Sequence, residues 1–381
     1  MNIAYVFSAV YPFVSGGVQK RFYEIGTRLA ADDHQVTIYG RKFWDGPATI
    51  ERDGLTLRGV APAANLYTED GRRSIQEALG FALRLIPSLR DDLNHHDVVV
   101  VSPFFPVLAT TVATVATNTP VVTTWHEVWL DYWEEYLGSL AFGGKVVERL
   151  AARVSSHSIA VSELTANRLS RIGPSRADID VVHNGIDVDR VTSTSLPEVT
   201  DGQQGYDVLF VGRLIKDKRV SVLLDAFDRL ATTFDIRMGI IGEGPHETQL
   251  HQHAERLDTV DRIEFLGHLP NHEAVLGQMR AADIFASPST REGFGITYVE
   301  AMAADCTVIA ADHPESAARD VIADAGYLVS PTVDGVTEAL KSSLNGNQPD
   351  TDPQTRAKEF DWDTVADQAA DVYRRAIRSQ T

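Results

Sequence analysis

The sequence predicts an α/β protein of two doubly wound parallel-sheet domains facing each other across a cleft. Three observations carry that reading. Short Val/Ile-rich runs alternate with amphipathic helical stretches from end to end, the pattern of βαβ units whose strands are buried on both faces. One polar stretch without periodicity, Val191–Tyr206 (VTSTSLPEVTDGQQGY), divides the chain. At about 150 residues per domain, a length of 381 residues holds two domains.

The elements follow in order. The first domain, 1–190, has strands expected at 3–8, 35–40, 55–60, 97–102, 121–125, 158–162 and 180–182. The stretch 191–206 is the linker. The second domain, 207–360, has strands expected from 206–212 through 236–242, 263–267, 284–289 and 307–312 to 327–330. Helical periodicity is clearest over 18–30 and 221–234. A polar stretch, 345–354, leads to a C-terminal segment, 361–381, whose helix begins near Trp362.

Composition narrows the class. Hydrophobic residues make up 44% and charged residues 23%, enough to fill two cores. A single cysteine, Cys306, excludes an internal disulfide and a multi-cysteine zinc site, and fits a reducing cytoplasm. The N-terminus reaches Pro12 too soon for a signal peptide. The most apolar region, 97–125, is broken by three prolines and many threonines, so it reads as strand, helix and strand rather than a membrane span. Net charge is −18. Residues 1–190 carry 18 Lys+Arg against 22 Asp+Glu, and residues 191–381 carry 17 against 31. Such a surface repels nucleic acid and anionic membranes. Only seven of the 35 basic residues are lysine, the composition expected of a salt-loving organism.

In open parallel sheets, ligands bind beyond the carboxyl ends of the strands. Three unusual stretches of the second domain fall there: Arg213-Leu214 with Lys218, Glu243-Gly244-Pro245 after Gly242, and Arg291-Glu292-Gly293-Phe294-Gly295. Gly293 and Gly295 permit a tight turn into a helix starting near Ile296 or Thr297. The free amides of such a start, with the helix dipole, suit phosphates. Glu292 and Glu300 would repel a phosphate at contact distance, so they are expected to flank it and accept hydrogen bonds from hydroxyls. A nucleotide sugar has this layout, with hexose hydroxyls on one side of a diphosphate and ribose hydroxyls on the other. Arg213 and Lys218 would neutralise the diphosphate. Each residue also has a plainer reading. Glu300 could complement its helix dipole from the first turn, and Arg213 and Lys218 could be surface charges. Asp187-Val188-Asp189 and Asp361-Trp362-Asp363 look like metal ligands but sit where aspartates cap helices, so no metal is expected.

These motifs resemble those of glycosyltransferase family 4. The resemblance rests on Phe210-Val211-Gly212-Arg213-Leu214 with Lys218, Gly242-Glu243-Gly244-Pro245, Phe265-Leu266-Gly267 and the Glu-x7-Glu pair Glu292 and Glu300. It extends to Ser15-Gly16-Gly17-Val18, His126 and His183-Asn184-Gly185-Ile186-Asp187, and so covers nearly the whole chain. It implies the GT-B fold and a retaining transferase using a nucleoside-diphosphate sugar without a metal or other cofactor. It also implies roles. Glu292 would hold the donor sugar and Glu300 the ribose. Arg213, Lys218, the amides of Gly293, Phe294, Gly295 and Ile296, and the Gly16-Gly17 loop would hold the diphosphate. His126 would lie near the transferred sugar, and backbone around Leu266 would contact the base. The final helix would cross back onto the first, acceptor-binding domain. Two departures stand out. Asp305 and Thr307 occupy places where the family usually has Gly and Pro, and the usual Gly-Gly-x-x-Glu loop reads Asp312-His313-Pro314-Glu315-Ser316.

On the acceptor side, Trp129 and Asn184 are the candidates. Trp129, Tyr132, Trp133 and Tyr136 follow helical spacing and read as core, as an acceptor wall, or as an interfacial anchor. Lys20, Arg21, Arg41, Lys42, Arg72 and Arg73 supply basic charge that could meet phosphate headgroups. The expected function is transfer of a hexose-type sugar from a nucleoside-diphosphate sugar to a glycan or lipid-linked acceptor. Its place would be the cytoplasm, at or near the inner face of the cell membrane. The alternatives are a nucleotide-sugar epimerase and a non-catalytic nucleotide-sugar-binding protein.

Overall fold

The computed structural model describes residues 1–66, 74–102, 104–155, 157–198 and 205–380. Arg72, Arg73 and residues 199–204 of the expected linker lie outside them. The chain divides into two compact units, Met1–Asn184 with Trp362–Thr381, and Gly185–Asp361.

The first unit is built on an eight-stranded sheet. Its strands are β1 (Asn2–Val6), β2 (Gln35–Lys42), β3 (Thr49–Arg52), β4 (Leu55–Pro62), β5 (Val98–Val101), β6 (Val121–Trp125), β7 (His157–Ala160) and β8 (Ile179–Val181). Their order is β3-β4-β2-β1-β5-β6-β7-β8. All pairings are parallel except β3 with β4. This edge hairpin is absent from the sequence reading. It turns through Asp53 (φ 51°) and Gly54 (φ 80°), the Asp-Gly pair that suits a tight primed turn. The helices are α1 (Gly17–Ala31), α2 (Ile75–Asp92), α3 (Phe105–Thr114), α4 (Tyr132–Leu137), α5 (Ala141–Val154) and α6 (Glu163–Leu169), with the C-terminal helix Trp362–Arg378. On one face, Phe22, Ile25 and Leu29 of α1 pack with Trp362, Val365 and Tyr373 of the C-terminal helix over Ile3 and Tyr5. On the other, Phe81, Leu85, Val107, Ala113 and Ala151 of α2, α3 and α5 pack over Val99 and Val101.

The second unit has a six-stranded, all-parallel sheet. Its strands are β9 (Val208–Val211), β10 (Met238–Ile241), β11 (Ile263–Gly267), β12 (Ile284–Ser287), β13 (Thr307–Ala311) and β14 (Gly326–Val329), ordered β11-β10-β9-β12-β13-β14. Strand order therefore reverses between β9 and β12, the switch point where such sheets bind ligands. These two strands pair only at Val208–Ile284 and Leu209–Phe285, so no pairing joins their carboxyl ends. The helices are α7 (Val188–Ser193), α8 (Val220–Ala231), α9 (Glu247–Ala254), α10 (His272–Arg280), α11 (Ile296–Ala303), α12 (Ala318–Ile322), α13 (Val333–Leu344) and α14 (Pro353–Ala357). Leu223, Leu224, Phe227 and Leu230 of α8 lie at helical spacing in the core.

Two local readings change. Residues 191–193, taken as linker, end α7, which Asp187 starts by accepting the Arg190 amide at 2.8 Å. Asp305, where the resemblance leads one to expect Gly, holds the left-handed conformation itself (φ 73°) just after α11. The turn is kept at a conformational cost. Burial first, and then Asp352, raises the Asp305 carboxyl above its ordinary range. A raised carboxyl favours folding at low pH and loses that contribution as pH rises through its folded value. Asp305→Gly is therefore expected to stabilise the chain by roughly 1 kcal/mol, and by more at pH 7 than at pH 4. Denaturant unfolding at the two pH values checks this, and no gain at pH 7 would refute it.

Candidate functional site

Three loops meet at the carboxyl ends of β9, β10 and β11. Gly212 N–H donates to the Ile241 carbonyl at 3.0 Å, Gly242 N–H to Gly267 at 2.8 Å, and Leu214 N–H to Glu243 at 2.9 Å. Gly242 has φ 134°, and a Cβ there would lie 2.0 Å from the Gly212 carbonyl oxygen. Only glycine permits this crossing. Leu266 lies half-buried in β11, and Arg213 is exposed, with no ion pair among the described residues.

The loop after β12 is tied to the loop after β9. Thr290 N–H donates to the Asp217 carbonyl at 2.8 Å. This brings Lys218 and Glu292 together as an ion pair in which both side chains are largely buried, at 15% and 13% exposure. Glu292 is also clamped through its backbone. Its N–H donates to the Glu315 carbonyl at 3.2 Å, and its carbonyl accepts from Ala317 at 2.9 Å. The unusual 312–316 loop is thus what fixes this glutamate. Gly293 follows, and the Phe294 side chain turns into the core against Phe360, at 5.7 Å between ring centroids. Gly295 takes φ 85° and leads into α11, which starts at Ile296 without a side-chain cap. Its first amides therefore face a ligand or solvent. Beneath them, Tyr298 is fully buried and donates to the Ser287 carbonyl at 3.2 Å. Burial, and then the Glu292 charge, pushes its phenol well up.

Glu300 does not sit in the first turn of α11, so the helix-dipole reading fails: that turn holds no acid. It is buried in the second turn and shares a hydrogen bond of 2.8 Å with His272 Nε2. The structure therefore joins Lys218 to Glu292 and Glu300 to His272. Sequence reasoning missed His272. The Asn271 cap, which accepts the Ala274 amide at 2.8 Å, is the local signal that α10 starts there.

In the first unit, Gly16 and Gly17 form the exposed start of α1, also without a side-chain cap. His126 is the first residue beyond β6. The residue is half-buried, and its Nε2 is shut off from solvent without a hydrogen-bond partner among the described residues. Burial, and then the nearby Arg21, pushes its pKa down to about 3. The unfolded chain takes this proton from about pH 6.5 downward, so stability is lost as pH falls from there towards 3. Between pH 7 and pH 5 the native chain is expected to lose about 1–2 kcal/mol more than His126→Asn. Denaturant unfolding measures the difference, and equal losses would contradict a buried neutral imidazole.

Arg21 and Arg41, read as headgroup contacts, are instead buried. Arg21 lies on the same inward face of α1 as Phe22 and Ile25. It donates to the Val182 carbonyl (3.0 Å), the His183 carbonyl and Asn184 Oδ1 (3.2 Å), and so holds Asn184 in place. Arg41 donates to the Pro62 and Glu77 carbonyls at 2.8 and 2.7 Å and pairs with the Glu77 carboxylate. The aromatic stretch is not one helix. α4 begins only at Tyr132, because Leu130 (φ 48°) interrupts the regular backbone after Trp129. The rings still cluster, with Trp129 4.6 Å from Trp133, 4.7 Å from Tyr136 and 5.7 Å from Phe104. Glu148 fixes the group by accepting from the Trp129 and Leu130 amides (2.7 and 3.1 Å) and from Trp133 Nε1 (3.1 Å).

Known proteins share this organisation. Residues 15–190 match the family described as Glycosyltransferase Family 4, and residues 197–360 match Glycosyl transferases group 1. The glycogen synthase of Mycobacterium tuberculosis is 28% identical over 409 residues, covering 97% of this chain and 93% of its own. The phosphatidyl-myo-inositol mannosyltransferase of the same organism is 33% identical over 232 residues, covering 56% of this chain and 58% of its own. Two solved structures share the fold. Sucrose-phosphate synthase from Thermosynechococcus elongatus has a TM-score of 0.76 at 16% identity, covering 99% of each chain. Anabaena HepE, solved in complex with UDP-glucose, has a TM-score of 0.70 at 20% identity, covering 97% of this chain and 98% of its own. The chain belongs to the group 1, family 4 glycosyltransferases, enzymes of GT-B fold that transfer a sugar from a nucleotide sugar.

Proposed function

We propose that this enzyme moves a hexose-type sugar from a nucleoside-diphosphate sugar to a glycan or lipid-linked acceptor, with retention of anomeric configuration, in the synthesis of a surface glycan, glycolipid or glycoprotein glycan. The single observation that carries the site assignment is the Lys218–Glu292 pair at the carboxyl ends of β9 and β12, beside the uncapped start of α11. A cation, the uncapped start of a helix and a hydroxyl-binding carboxylate together suit a diphosphate and its sugar.

In this reading the second unit binds the donor. Lys218 and Arg213 take the diphosphate with the amides of Gly293 to Ile296, and Glu292 orients the sugar. Glu300 holds the ribose, with His272 fixing its carboxylate, and the backbone near Gly242 and Leu266 meets the base. The first unit receives the acceptor near His126, Trp129 and Asn184, and the uncapped start of α1 at Gly16 and Gly17 offers amides of its own to phosphate. Neutral His126 accepts a hydrogen bond from a hydroxyl rather than adding charge. As the bond to the sugar breaks, negative charge grows on the departing diphosphate, where Lys218 and the helix start stabilise it. A diphosphate oxygen takes the acceptor's proton on the same face, which retains the configuration. These cations make a divalent metal unnecessary, so chelation should leave turnover unchanged. The acidic, lysine-poor surface supports a cytoplasmic enzyme of a salt-rich cell.

The test offers UDP-, GDP-, ADP- and dTDP-hexoses with glycan and lipid-linked acceptors and follows the anomeric proton by NMR. Acceptor-dependent diphosphate release with an unchanged anomer is expected. Conversion of the donor without acceptor would favour an epimerase, and binding without turnover would favour a non-catalytic role.

A further inference from the structure

Large apolar side chains are not scattered evenly over this surface. Twelve are exposed among the described residues, and nine of them belong to α2, α3, α5 or the turns beside these helices. The three helices form one layer on a single face of the first unit's sheet, with α3 packed against both α2 and α5. Their inward residues fill the core, so the exposed set is a second apolar face pointing outward. Ile75, Leu79 and Leu83 make a stripe at i, i+4 and i+8 along α2. Val112 stands on α3, and Phe142 and Leu150 on α5, with Phe142 78% exposed.

The charge on this layer opposes that of the chain. Arg84, Arg90, Arg149 and Arg153 are exposed on α2 and α5, and no ion pair involves them among the described residues. The acids of these helices are mostly engaged: Glu77 with Arg41, Asp92 with Arg58, and Glu148 buried under the indoles. Of their acids, Asp91 alone is exposed with no ion pair among the described residues. Beside this layer, Asp131, which precedes α4, and Glu134 within it both pair with Lys145 of α5. A chain of net charge −18 thus presents one apolar face whose free charges are nearly all arginine.

We infer that this layer seats the enzyme on an anionic lipid surface, with the aliphatic and phenyl side chains in the acyl boundary and the four arginines on lipid phosphates. Interfacial helices combine an apolar face with basic residues in this way, and long arginines reach headgroups while their stems stay in the apolar zone. A second copy of the chain fits less well, because four like charges would meet their counterparts. No helix among the described residues is long and apolar enough to cross a membrane, so the contact lies on the surface. The inference deepens the lipid-linked-acceptor reading, and its test needs no turnover.

The full chain is floated with vesicles of phosphatidylcholine alone, or mixed with phosphatidylglycerol, at about 0.15 M salt. Two double variants are compared, Leu83→Glu with Phe142→Glu, and Arg149→Glu with Arg153→Glu. Melting curves show that each is folded. Flotation is expected only with phosphatidylglycerol, and each variant should weaken it by roughly tenfold or more. No flotation, equal flotation on both vesicles, or flotation indifferent to both variants overturns the inference. So does a native dimer that does not float and that the same variants split.

Discussion

Lys218→Ala is expected to lower turnover by roughly 10²-fold or more, as loss of a preorganised charge at a leaving group does. The substitution does two things, and they can be separated. Lys218 and Glu292 are paired while both are largely buried, so removing the lysine leaves a carboxylate with little solvent and the buried Tyr298 beneath it. That alone is expected to destabilise the fold by roughly 1–3 kcal/mol. Lys218→Ala combined with Glu292→Gln removes the stranded charge and should recover most of that stability. Turnover should not recover, because the diphosphate still lacks its cation. Steady-state rates and unfolding curves on the single and double variants decide it. Recovery of both together would mean that Lys218 serves only to balance Glu292.

Gly242→Ala is expected to cost roughly 3 kcal/mol or more of stability, and donor binding with it. The added Cβ would lie 2.0 Å from the Gly212 carbonyl oxygen, so the backbone itself must move. It is held on both sides, by Gly212 N–H on Ile241 and by Gly242 N–H on Gly267. The same crossing sets the path of Arg213 and Leu214. Gly346→Ala is the control. Gly346 has φ 84°, but nothing lies within 4 Å of its Cβ position. Only the left-handed backbone penalty applies there, about 1 kcal/mol. Denaturant unfolding of the two variants separates the clash from the backbone term, and equal losses would contradict the close approach.

Parallel strands such as Val98–Val101, Val121–Trp125 and Thr307–Ala311 were legible because each is a short run rich in β-branched residues and buried on both faces. Strand β3 was not, because three of its four residues are exposed and its only signal is the turn at Asp53-Gly54. Lys218, Glu292 and Glu300 could be picked out by their places after strands and around a glycine turn. Their partners could not. His272 meets Glu300 across 28 residues, and Arg21 meets Val182 across 161. Periodicity describes one helix at a time and is silent on such pairs. It also misled where Trp129 matched the spacing of α4, because spacing does not register the break at Leu130. Asp305 shows the reverse. A side chain that differs from the family pattern still adopts the backbone that pattern requires.

The most direct test of the proposed donor site is thermal stability in high salt with UDP, GDP, ADP and dTDP, on the native chain and on Lys218→Ala with Glu292→Gln. A ligand at 100 times its dissociation constant adds about 2.7 kcal/mol, a readily measured shift. One diphosphate is expected to raise the melting temperature of the native chain and to leave the double variant unmoved. No shift with any diphosphate, or the same shift in both proteins, would contradict a donor site at the carboxyl ends of β9 and β12.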